Sequence, residues 1–206
     1  MAGVASCAHG YRVDDFPPAT FTLRGTLAVA DFDLSPAARE RAALPRGFCI
    51  PTEAYFEDGG RGITDSMVRH LGHSGLFDRV RLAEDAGEPA DYVLEGSVAE
   101  FRSCPTGSIV FFSACQGVRE SCNEESGGCI CYRSRVDLSA VRLRDARTGE
   151  VLFSGAVTAP DRPYGAPETE SSWRPYEHAL GATVQRLVDR LTLALEERAD
   201  AAPRPR

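Results

Sequence analysis

The chain contains no lysine. All 23 of its basic residues are arginine, which removes Schiff-base and other lysine-dependent chemistry from consideration. No apolar run approaches the roughly 20 residues that a membrane-spanning helix needs. GxSxG, HExxH, P-loop and GxGxxG patterns are all absent, so no catalytic or nucleotide-binding motif is written in the sequence. Excess positive charge is missing too. A net charge of -7 and an isoelectric point of about 5.2 argue against a nucleic-acid partner held by phosphate neutralisation. There is no internal repeat. What remains is an ordinary globular composition, 43% hydrophobic and 26% charged over 206 residues, enough for one domain with a real core.

Cysteine is plentiful by comparison. Five of the seven lie between Cys104 and Cys131, spaced as Cys104-x10-Cys115-x6-Cys122-x6-Cys129-x-Cys131, and Cys49 stands upstream. Zinc ribbons use paired cysteines two to four apart, and this set has only one close pair. Three disulfides among these six cysteines in an exported chain are the preferred reading, and a cytosolic zinc protein using Cys104 to Cys131 is the alternative. The segment 103–134 is poor in core-forming residues outside Ile109, Val110, Phe111 and Phe112, so crosslinks worth about 2 to 4 kcal/mol each would hold it in order. Cys7 is different. Val4-Ala5-Ser6-Cys7 looks like a bacterial lipobox, in which small residues precede a cysteine that is lipidated. The apolar signal segment that precedes such a box would lie upstream of Met1; the other reading is a chance match. Residues 1–19, with Pro17 and Pro18, read as a tether.

Periodicity organises the rest. Ala90 to Arg102 (ADYVLEGSVAEFR) is the best strand candidate. Tyr92, Leu94 and Val98 share one parity, and Val93, Ala99 and Phe101 the other, which predicts a central strand covered on both faces. Thr22 to Phe32 reads as a first buried strand. A polar stretch over 33–62 follows, with room for a short helix at Pro36 to Ala43. Ile63, Met67 and Leu71 predict a helix over Thr64 to Ser74, with Asp65 in its first turn and Gly75 ending it. Phe77 to Leu82 is a short strand, and Glu84 to Pro89 a turn. Arg135 to Arg144 is a strand whose parity slips between Ala140 and Val141, the mark of a bulge. Asp145 to Gly149 forms a hairpin turn into a strand over Glu150 to Thr158, with Val151, Phe153 and Val157 on one face. Ala159 to Pro175 carries four prolines and reads as a loop. Leu180, Val184, Leu187, Val188, Leu191 and Leu195 then predict a long amphipathic helix with Pro175 in its first turn. The tail 199–206 should fray.

This order predicts an α+β fold: a two-layer sandwich of a mixed, mostly antiparallel sheet with two helices on one face, plus a cysteine-rich insertion at 103–134. The single domain would span 20–198.

Two further groups could carry chemistry. Asp31-Phe32-Asp33 ends a buried strand, where paired carboxylates could hold Mg²⁺ or supply a nucleophile for a metal-dependent hydrolase. DFDLS superficially resembles the first motif of haloacid-dehalogenase-type phosphatases. That mechanism also needs a downstream basic residue and a distal acidic pair on parallel strands, so solvated aspartates at a strand end are preferred. His70 and His73, three apart near a helix end, could ligate a metal with a third ligand from the long loop. The simpler reading sets both against the negative end of the helix dipole. No catalytic residue, metal site or cofactor is assigned.

Three stretches together resemble a known group: GTLAVADF; ITDSMVRHLGHSGLFDRVRL running on to ADYVLEGSV; and LRDARTGEVLFSG ahead of the terminal helix. They are similar to the domain shared by the curli-secretion lipoprotein, the TolB N-terminal domain and the lipoprotein activators of penicillin-binding proteins. The LPS-assembly lipoprotein and the auxiliary lipoproteins of lipid-transport ABC systems have comparable architecture. The resemblance covers about Thr22 to Glu197. It implies a non-enzymatic, periplasm-facing lipoprotein, anchored through Cys7 and acting by contact with an envelope protein. Ala8, where aspartate is associated with inner-membrane retention, points to the outer membrane on the same resemblance. The cysteine-rich segment is foreign to that group.

Overall fold

The computed structural model describes residues 17–42, 61–84, 89–105, 129–160, 162–167 and 174–201, several element ends through backbone alone. Cys7, Cys49, Cys115, Cys122, the SIVFF run and most of the expected tether lie outside the described residues.

Seven described strands form one mixed sheet: β1 (Leu23–Val29), β2 (Asp33–Leu34), β3 (Phe77–Leu82), β4 (Tyr92–Pro105), β5 (Cys129–Asp145), β6 (Val151–Val157) and β7 (Arg162–Pro167). Their order is β3-β1-β4-β5-β6, with β2 pairing β4 and β7 pairing β5. β3, β1 and β4 run parallel, as the crossover through an intervening helix requires, and β4, β5 and β6 run antiparallel. Three described helices accompany the sheet: α1 (Pro36–Ala42), α2 (Arg61–Ser74) and α3 (Arg174–Ala201). The predicted α+β class holds, and the short helix allowed for at Pro36 to Ala43 is present as α1, a third helix besides the two expected on one face.

The elements form where the apolar spacing dictates. Ile63, Met67 and Leu71 are fully buried along α2, and Gly75 ends it at φ +67°. The helix begins at Arg61 rather than Thr64, so Asp65 lies beyond its first turn. Along α3 the six predicted apolar positions are all buried, against β4, β5 and β6. Phe101 stacks on Tyr176 at 4.2 Å between ring centroids, joining β4 to the start of α3. Thr183 Oγ1 donates to the carbonyl of Val136 (2.6 Å), a polar fastening inside the same layer.

Four expectations need correction. The parity reading of β4 fails because Ala99 is an extra residue between the pairs Val98–Leu138 and Glu100–Asp137. That bulge returns Phe101 to the face of Leu94 and Val98, so β4 is buried on one face rather than two. Leu152 does the same on β6, placing Val151 opposite Arg144 and leaving it 40% exposed, away from Phe153 and Val157. The proline-rich segment after Ala159 is not all loop, since 162–167 pair with β5. Pro163 and Pro167 are tolerated there because, among the described residues, β7 is an edge strand paired only with β5. Lastly, the expected insertion 103–134 is sheet at both ends. Ser103 to Pro105 continue β4 and pair with Tyr132 to Ser134, while Cys129 to Ser134 pair with β7.

The predicted bulge in β5 is present. Ala140 adopts φ +50° where Ser139 and Arg142 flank it against Ser97 and Glu95.

Gly25 has φ +124°, and a Cβ there would lie 2.6 Å from Asp91 Oδ2, the atom that accepts the Thr26 N–H. Replacing Gly25 by Ala is expected to lower stability by about 1–3 kcal/mol, read as a fall in the urea midpoint at unchanged slope. A change below about 0.5 kcal/mol would show that the strand end relaxes freely.

α3 also closes the β6 edge. Arg186 Nη1 donates to the carbonyl of Thr158 (3.1 Å) and Arg198 Nη2 to that of Val151 (2.7 Å), while Arg190 reaches the carbonyl of Ala156.

Candidate functional site

The predicted site residues are scattered. Asp31 and Asp33 are exposed on either side of the fully buried Phe32 ring. Asp33 opens β2, pairs with Arg39 of α1 and accepts the Leu34 N–H at 2.9 Å. Phe32 is positioned from below, its N–H donating to the buried Thr64 Oγ1 (3.0 Å). No three His, Cys, Asp or Glu side chains converge on a point where an ion could sit, among the described residues. Cys104, in β4, is disulfide-bonded, while Cys129 and Cys131 fall in β5.

His70 and His73 line one side of a cleft between α2 and α3, completed by Pro17, Gly181, Val184 and Gln185. It has room for little more than a water molecule. His70 is buried, and its pKa is pushed down to about 4, first by burial and then by the charge of His73. Both histidines were expected to complement the helix dipole as cations. His70 cannot, being neutral at ordinary pH; His73 is exposed in the last turn of the helix.

The charged feature of the molecule lies elsewhere, on the sheet face turned away from α2 and α3. Strand alternation puts Leu94, Val98, Phe101, Val136, Leu138 and Leu143 under the helices, and their neighbours outside. Those neighbours are charged. From β5 come Arg133, Arg135, Arg142 and Arg144, and from β4 comes Arg102. Across β1, Arg79 and Arg81 of β3 lie in the same rows, opposite Thr26 and Ala28. Three carboxylates are interleaved. Glu95 accepts from Arg144 Nη2 at 2.9 Å, Asp137 from Arg135 Nε at 2.8 Å, and Glu100 is 3.3 Å from Arg102 Nε and 3.8 Å from Arg135 Nε. Asp91, just before β4, is held by the Thr26 N–H. Arg133 and Arg142 are exposed, and most of the others are partly exposed.

Sequence reading missed this surface. The signal was present as the alternation RSRVDLSAVRLR over Arg133 to Arg144, read there only as evidence for a strand.

No protein-family model matches the chain, and no curated protein matches it. Solved structures do. A Xanthomonas campestris protein, XCC0632, of the DUF330 family, is similar at TM-score 0.50 and 18% identity, over 90% of this chain and 95% of that one. A PelC variant from Paraburkholderia phytofirmans, a dodecamer, aligns at TM-score 0.42 and 18% identity over 84% and 93%. A candidate lipoprotein from Caulobacter crescentus aligns at TM-score 0.33 and 18% identity over 67% and 83%. At such identities the likeness to the Xanthomonas protein is one of fold alone. Among the described residues, no helix is long and apolar enough to cross a membrane.

Proposed function

We propose that this chain is a non-catalytic binding module of the bacterial cell envelope: an exported lipoprotein, anchored through Cys7 to the outer membrane and facing the periplasm. It would assist an envelope protein assembly by contact. The observation that carries the reading is the outer sheet face, a broad charged surface built on rigid backbone, whereas Asp31, Asp33, His70 and His73 do not converge. The resemblance of the GTLAVADF, helix-to-strand and hairpin stretches to envelope lipoprotein domains supports it, and the reading includes a disulfide framework drawn from Cys49, Cys104, Cys115, Cys122, Cys129 and Cys131.

Intact mass of the natively expressed protein, alkylated with and without prior reduction, tests this reading. The expected result is a lipid adduct on Cys7 and six further cysteines protected until reduction. Free thiols, an unmodified Cys7 and bound zinc would overturn it.

A further inference from the structure

We draw no further inference here: the strongest candidate, the cleft between α2 and α3 lined by His70 and His73, has room for little more than a water molecule, gathers no third metal-ligating side chain among the described residues, and as a proton-driven switch would rest on the lowered pKa of His70 alone.

Discussion

Replacing Leu94 by Ala is expected to cost about 3–5 kcal/mol of folding stability, a large share of the 5–15 kcal/mol typical of a domain. Leu94 is fully buried at the middle of the sheet, paired to Val29 on one side and to Leu143 on the other. Both neighbours are themselves buried, and the strands carrying them are fixed by backbone ladders, so the site has little freedom to collapse into the space left. The loss combines the transfer free energy of the deleted atoms with the cost of the residual cavity. Urea unfolding should show a much lower midpoint with an unchanged slope. Val151→Ala, at the exposed end of β6, supplies the contrast and should stay within about 0.5 kcal/mol. A loss below about 1 kcal/mol at Leu94 would mean that the core is far looser than the burial indicates.

Acid should weaken the fold through His70. Its pKa is 6.5 when solvated and about 4 in the folded chain, so the unfolded chain binds this proton first as pH falls. The stabilisation is fully present above pH 6.5, declines as pH drops toward 4, and is gone below that. A depression of this size corresponds to about 3 kcal/mol. Carboxylates also titrate in the lower part of this window, so the decisive quantity is the difference between wild type and His70→Gln. Measured from pH 7.5 to 4, the variant should lose less stability than the wild type by about that amount. Parallel curves would show that His70 protonates freely within the fold.

Much of the architecture was legible because apolar spacing reports which side of an element is covered. Phe77 to Leu82 matches the predicted strand, and the α3 stripe from Leu180 to Leu195 is buried as its period demanded. The β5 bulge could be read too, since the parity break at Ala140 and Val141 had no other simple cause. The bulge at Ala99 could not, because VAEF fits a two-faced buried strand equally well, and only pairing with Val136 and Leu138 decides between them. β7 was hidden for a different reason: its prolines obey a rule that holds inside sheets and lapses at edges. The arginine face illustrates a third limit. Each arginine, read singly, is a solvated residue on a strand. It becomes a surface only when the register lays β3, β1, β4 and β5 in order, and that register is set by long-range pairing.

The three arginine contacts from α3 to the β6 carbonyls bear on how copies of this protein behave when crowded. An edge strand with free carbonyls invites a neighbour to add its own strand, and repeated addition builds a fibre. Here a newcomer would have to displace Arg186, Arg190 and Arg198 from Thr158, Ala156 and Val151, giving up charge-assisted bonds worth about 1.5–3 kcal/mol each. The helix that completes the core therefore also serves as a stopper against polymerisation along β6.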